Sequence, residues 1–211
     1  MSSQQPRCQL YLVSPLDVSG EFPRRLENAL DASGPKGPVA AFQFRVKGVD
    51  QHEAAALAEP LLAICRARDV AFIVNDSIGL AKRLGADGVH LGQHDGDPRE
   101  AREALGREAQ IGVTCHASRH LAIEAGEGGA DYVAFGSFFP SETKASEHRP
   151  ELELLEWWQQ VMEIPCVAIG GITPENGAPL VAAGADFLAV SGAVWNGDEA
   201  EAVRAFGKLL K

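Results

Sequence analysis

The sequence predicts an α/β fold of the closed (β/α)8, or TIM-barrel, type, formed as a single domain by residues 1–211. Three observations predict it. Eight short, mostly apolar segments are spread over the whole chain, as expected for parallel strands buried on both faces. Helix-period patterns separate them in strict alternation, and no Pro- or Ser-rich linker divides the chain. A Gly-Ala-Asp unit recurs at Gly85, Gly129 and Gly184, each time where a helix should close and a strand open. At roughly 26 residues per strand–helix unit, the gaps between these glycines each hold about two units, which suits eight units in all. An open doubly wound sheet fits that strand count less well.

Taken in order, the predicted strands are QLYLVS (9–14), VAAFQFR (39–45), AFIVN (71–75), GVHL (88–91), QIGVT (110–114), DYVAFG (131–136), PCVAI (165–169) and DFLAV (186–190). Between the second and third, residues 52–68 read as a helix with Ala56, Leu57, Leu61, Ile64 and Cys65 on its apolar face. Pro60 should bend or break that helix. Asp97-Pro98-Arg99-Glu100 is a helix start, with an N-cap, proline in the first turn and an acidic third position. Thr173-Pro174-Glu175 reads the same way. The adjacent Trp157 and Trp158 fall in a helical pattern and read as packing residues.

Composition excludes several functions. The chain carries 29 acidic against 19 basic residues, a formal charge of −10, which argues against a nucleic-acid partner. No apolar run approaches the ~20 residues of a membrane span, and no signal-type segment follows the start, so a cytoplasmic protein with no membrane partner is expected. Cys8, Cys65, Cys115 and Cys166 are far apart and make no metal-binding pair; they read as buried, reduced thiols. The negative field also sets a condition. A phosphorylated substrate would need local cations, backbone N–H groups or a bound metal.

In a barrel of this type the chemistry sits where strands end. Gln43, Arg45 and Lys47 alternate at the end of strand 2, so they point one way. Asn75 and Asp76 end strand 3, and His90 and Asp95 belong to strand 4 and its loop. Two carboxylates on neighbouring loops suit one hard cation such as Mg2+, although Asp76 could equally cap a helix and Asp95 shape a turn. Thr114 and His116 follow at strand 5. Ser141, Thr143 and Lys144 offer two hydroxyls and an ammonium after strand 6. Gly170-Gly171 and Val190-Ser191-Gly192 end strands 7 and 8, a frequent place for a phosphate on backbone N–H groups. The spacings His90/His94 and His116/His120 would suit zinc only on one helix, which neither pair occupies, so His90 and His116 read as walls of a site.

Together, QFRVKG (43–48), VNDSIGLA (74–81), GVHLGQHD (88–95), IGVTCHAS (111–118), DYVAFGSFFPSETK (131–144), VAIGGITPEN (167–176) and AVSGAV (189–194) resemble the thiamine phosphate synthase family, in order and spacing, over almost the whole chain. The resemblance implies a (β/α)8 enzyme that joins a hydroxymethylpyrimidine pyrophosphate to a thiazole phosphate, with Mg2+, releasing pyrophosphate. It implies Asp76 and Asp95 as metal ligands. Gln43, Arg45, Lys47 and Asn75 would hold pyrimidine and pyrophosphate, with His90 beside them. Thr114 and Lys144 would act at the reacting centre, Ser141 and Thr143 would bind phosphate, and Gly171, Val190 and Ser191 would take the thiazole phosphate. The partners implied are small phosphorylated molecules, and a homo-oligomer is possible.

The chain departs from the family pattern at Ser14-Pro15, GPKGP (34–38), Ser77 and Ser137. Two other functions compete: a thiazole tautomerase of the sister family, using His116 for proton transfer, and a non-catalytic phosphate-binding barrel. The composition of 137–148 would allow a lid.

Overall fold

The computed structural model describes residues 8–34, 37–140 and 149–211. Eight parallel strands close into a barrel in the order β1 to β8, with β8 hydrogen-bonded back to β1. They are β1 (Gln9–Val13), β2 (Val39–Phe44), β3 (Ala71–Asn75), β4 (Gly88–Leu91), β5 (Gln110–His116), β6 (Tyr132–Gly136), β7 (Cys166–Ile169) and β8 (Phe187–Val190). Helices α1 (Phe22–Ser33), α2 (Gln51–Arg66), α3 (Ile78–Leu84), α4 (Pro98–Leu105), α5 (Arg119–Glu127), α6 (Glu153–Val161) and α7 (Ala178–Ala182) connect them. After β8 come a single turn, α8 (Gly192–Trp195), and the closing helix α9 (Glu199–Leu209). No described helix is long and apolar enough to cross a membrane.

Strand alternation splits the apolar residues into two cores. Outward residues such as Leu10, Leu12, Phe42, Phe72, Val89, Ile111, Phe135 and Leu188 meet the helices. Inward residues form a smaller cluster of Tyr11, Val13, Ala41, Ile73, Tyr132, Ala134, Val167 and Ala189. The inner cluster is built of small side chains around two tyrosines. Gly112 makes their room, since a Cβ there would overlap the Tyr132 ring.

The Gly-Ala-Asp units do more than end helices. Each aspartate accepts a backbone N–H from the start of the preceding strand: Asp87 from Phe72 at 2.7 Å, Asp131 from Ile111 at 2.6 Å, Asp186 from Cys166 at 2.8 Å. Each also donates its own N–H to that residue's carbonyl. The repeat therefore locks neighbouring strands at the floor of the barrel. At its seam, α1 and α9 are joined by Arg25, whose guanidinium donates to Glu199 at 2.9 Å and to the carbonyls of Trp195 and Gly197.

Two local expectations are corrected. Helix α2 runs unbroken through the exposed Pro60, and its buried face is Ala54, Ala55, Ala58, Leu61, Leu62 and Cys65; Ala56 is exposed. The small alanines let the helix lie close to the sheet, whereas alanine on every side hides the face in sequence. The carbonyl to which residue 60 would donate, were it not proline, belongs to the exposed Ala56 on the solvent side. Thr173-Pro174-Glu175 is a turn, not a helix start; α7 begins at Ala178. Asn176 ties that turn, accepting from Thr173 N–H and donating to the Gly171 carbonyl. Asp97 does cap α4, accepting from Arg99 N–H at 2.7 Å. All four cysteines are buried and unbridged, and burial pushes their thiols up to about 12. Trp158 is fully buried, and Trp157 is partly buried under the Arg119 guanidinium.

Candidate active site at the C-terminal mouth

Asp76 is placed by a very short turn. Asn75 is the last residue of β3, and Ser77 already caps α3 by accepting the Leu80 N–H at 3.1 Å. Helix capping, the alternative reading for Asp76, therefore belongs to Ser77. Asp76 takes a left-handed backbone, φ 66°, and anchors its N–H on the His90 carbonyl at 2.8 Å. Aspartate is among the few residues that tolerate this conformation. Asp95 sits in the β4–α4 loop, where its carboxylate accepts the Gly92 N–H at 2.9 Å.

The two carboxyl groups face each other within hydrogen-bonding reach. Burial first, then the charge and hydrogen bond of Asp95, raise the Asp76 pKa above its ordinary value; Lys47 and Arg45 pull the other way. Lys47 Nζ lies 3.8 Å from Asp76 Oδ2. The end of β2 thus delivers both predicted cations to the carboxylate pair. Among the described residues no group of three or more His, Cys, Asp or Glu converges. Two carboxylates with open positions form a donor set that fits Mg2+, which favours one or two carboxylates, waters and substrate oxygens. The repulsion between Asp76 and Asp95, only partly offset by Lys47 and Arg45, is what a cation would relieve.

Below the pair, inside the barrel, runs a polar chain. Gln43 is buried and donates to Tyr11 Oη at 3.0 Å. Tyr11 Oη is 2.9 Å from Tyr132 Oη. Tyr132 Oη is 3.1 Å from His90 Nδ1, and His90 Nε2 is 2.8 Å from Thr114 Oγ1. The His90 ring stacks on Tyr132. Burial lowers the His90 pKa to about 4 despite the opposing charge of Asp95, so the imidazole is neutral at pH 7. Sequence reasoning found Gln43, His90 and Thr114 but missed both tyrosines. The available signal was the polar tip of a tyrosine at an inward strand position.

Elsewhere on the rim, Gly170 and Gly171 both have positive φ, 107° and 61°. A side chain at Gly171 would strike the Pro140 carbonyl, so the β7 loop packs under the end of β6. Ser191 follows the buried Val190 and reaches the Ser14 carbonyl at 3.5 Å. Ser14, fully buried, exchanges hydrogen bonds with the Arg45 backbone and so fixes the end of β2. His116 occupies a bulge in β5 with φ 53°. His94 and His120 are exposed, whereas His90 turns both ring nitrogens inward to Tyr132 and Thr114. Ser141, Thr143 and Lys144, and with them most of the 137–148 loop, lie outside the described residues. A cavity of about 570 Å3 opens at the opposite end of the barrel, lined by Ala40, Arg66, Ala71 and Gln110. It holds none of the site residues named above.

Residues 10–194 match the family model for thiamine monophosphate synthase. A thiamine-phosphate synthase of Erythrobacter litoralis is 73% identical over 212 residues, covering 100% of this chain and 99% of the relative. One of Rhodospirillum centenum is 51% identical, covering 97% and 98%. Among solved structures, a thiamine phosphate pyrophosphorylase of Pyrococcus furiosus superimposes with TM-score 0.83 at 30% identity, covering 97% of this chain and 96% of that one.

Proposed function

The chain belongs to the thiamine monophosphate synthase family, and from that premise we propose that it transfers a pyrimidinylmethyl group from its diphosphate ester to a thiazole phosphate, yielding thiamine phosphate and pyrophosphate. The observation that carries the reading is the Asp76–Asp95 carboxylate pair, held at the mouth beside Lys47 and Arg45. It gives an anionic protein one place where a diphosphate and a divalent cation are accepted together.

Mg2+ would be held by Asp76 and Asp95, and when bound it supplies positive charge to the departing diphosphate. Arg45 and Lys47 add fixed cations on the β2 side. The C–O bond to the diphosphate breaks first, and the pyrimidine amino group stabilises the methylene cation. The thiazole nitrogen then attacks that carbon. No protein nucleophile is required; the chain orients two substrates and stabilises leaving charge. Gln43, Asn75 and His90 line the pyrimidine side, and Thr114 turns its hydroxyl to the reacting centre. The backbone at Gly171 and Val190, with the Ser191 hydroxyl, takes the thiazole phosphate. Gly171 can bring its N–H close to an anion because it has no side chain. Ser141, Thr143 and Lys144 complete the phosphate contacts on the strength of the sequence motif.

The test is direct. Both substrates are incubated with the protein, with and without Mg2+, and thiamine phosphate and pyrophosphate are measured. Metal-dependent formation of both is expected. Isomerisation of the thiazole alone, or binding without turnover, would overturn the reading. Asp95→Ala should abolish Mg2+-dependent diphosphate binding and spare thiazole phosphate binding; equal loss of both would refute this division of the site.

A further inference from the structure

The polar chain inside the barrel has a direction, and counting hydrogens reveals it. Gln43 Nε2 has hydrogens and no acceptor capacity, so it donates to Tyr11 Oη. Tyr11 is enclosed, and among the described residues its hydroxyl meets only Gln43 Nε2 and Tyr132 Oη. Its own hydrogen therefore goes to Tyr132. The Tyr132 oxygen, already accepting from Tyr11, sends its hydrogen to the remaining partner, His90 Nδ1. Nδ1 must then be bare. The neutral imidazole carries its proton on Nε2, which donates to Thr114 Oγ1 at 2.8 Å. Thr114 consequently receives a hydrogen bond from below, and its own hydrogen is left to point toward the mouth. With Gln43 Nε2 facing Tyr11, reversing the chain would strand the Tyr11 hydrogen in the barrel interior without an acceptor, at a cost of about 1–3 kcal/mol.

We propose that Tyr11 and Tyr132 are positioning residues that lock His90 in the Nε2–H tautomer and so make Thr114 a hydrogen-bond donor aimed at the departing diphosphate. The inference rests on the proposed reading of the mouth as the diphosphate site. Leaving-group oxygens gain negative charge as the C–O bond breaks, so a donor held in place before reaction stabilises that step selectively. A Thr114 hydroxyl whose hydrogen was committed to His90 would present only lone pairs to an anion. Gln43 is the fixed end of the chain, and its amide orientation is felt four side chains away.

Two measurements separate the chain from the activity. In the first, His ring nitrogens are 15N-labelled in the full-length protein, and long-range proton–nitrogen correlation identifies the tautomer, with His90→Gln assigning the signal. Wild type is expected with Nε2 protonated and Nδ1 bare. Tyr132→Phe, which keeps the ring and removes only the donor, is expected to shift the signal of the bare Nδ1 by breaking its hydrogen bond, and Gln43→Glu, which turns the fixed end into an acceptor, is expected to reverse the chain and populate the Nδ1–H form. A wild-type Nδ1–H tautomer, or no change in either variant, overturns the proposal whatever the enzyme makes.

In the second, turnover is measured with both substrates. Tyr132→Phe, which leaves the His90 ring unanchored at Nδ1, should lower kcat on the order of tenfold with the KM for thiazole phosphate unchanged. Thr114→Val should lower kcat as well, and Thr114→Ser, which restores the hydroxyl, should recover most of that loss. Adding Tyr132→Phe to Thr114→Val should then cost nothing more, since the path ends at the missing hydroxyl. Additive losses, with each variant melting as wild type does, would reduce the tyrosines to packing residues. If wild type makes no thiamine phosphate, the functional reading fails while the tautomer experiment still decides the chain.

Discussion

Replacing Asp76 with asparagine should make the metal-free protein more stable and the enzyme nearly inactive. At neutral pH the Asp76 charge faces Asp95 in a half-buried position. Two like charges ~4 Å apart repel by about 4 kcal/mol at the effective dielectric of a protein surface. A third of the Asp76 side chain is exposed and Lys47 sits 3.8 Å away, so solvent and counter-charge reduce this to a net of about 1 kcal/mol. Asparagine removes the charge, keeps the shape and accepts the left-handed backbone at this position. For a chain of this length about 1 kcal/mol corresponds to a rise in Tm of roughly 2–4 °C.

The pH dependence follows from the direction of the shift. The folded pKa of Asp76 lies above its unfolded value, so folding favours the protonated form. Wild type suffers no penalty below the unfolded carboxylate pKa of about 4 and acquires it as pH rises through the folded value. The advantage of Asp76→Asn should be full at pH 7 and vanish near pH 3.5. Saturating Mg2+ should reverse the order, because a ligand at a hundred times its Kd stabilises wild type by about 2.7 kcal/mol. Activity of the variant should fall about 100-fold, the scale of damage to a metal site. Thermal melts from pH 3.5 to 7.5, with Mg2+ and with EDTA, measure all of this. Equal Mg2+ stabilisation of wild type and variant would refute Asp76 as a ligand, and destabilisation at pH 7 would refute the like-charge argument.

Other expected outcomes concern the frame and the rim. Gly112→Ala should drive a methyl into the Tyr132 ring and cost about 3 kcal/mol, read as a lower urea midpoint. Arg25→Ala should remove the tie from α1 to Glu199 and two carbonyls, lowering stability by about 2 kcal/mol. Burial pushes Glu199 up, but hydrogen bonds from Asn28 and Arg25 outweigh it and hold its pKa low. That stability is present above the unfolded carboxylate pKa and is lost as pH falls, so acid titration of Tm should be shallower in Arg25→Ala than in wild type. Gly171→Ala, strained at φ 61° and blocked by the Pro140 carbonyl, should raise the KM for thiazole phosphate about tenfold and leave diphosphate affinity unchanged.

The order of strands was readable because parallel strands buried on both faces leave uninterrupted apolar runs. AFIVN and GVHL match β3 and β4 to the residue. The carboxylate pair was readable for a related reason: polar residues that interrupt such a run at its C-terminal end have only the barrel mouth to occupy. The inner tyrosines were not readable. Tyr11 and Tyr132 sit in apolar segments 121 residues apart, and one phenol in a strand has no periodic signature. The buried face of α2 escaped as well, because its alanines are apolar on every side and only the sheet beneath selects among them.

What the chain determined by itself is the alternation of elements and the residue types at each strand end, since these depend on local burial pattern and turn chemistry. What tertiary structure alone decided is which groups meet. The Gly-Ala-Asp aspartates find strand starts 15 or 20 residues earlier. Asp76 meets Asp95 rather than capping α3, and five side chains from β1, β2, β4, β5 and β6 join into one directed chain. Barrel closure causes this. It brings inward positions of every strand within a side-chain length of one another, so their partners are set by the shared interior and not by their neighbours along the sequence.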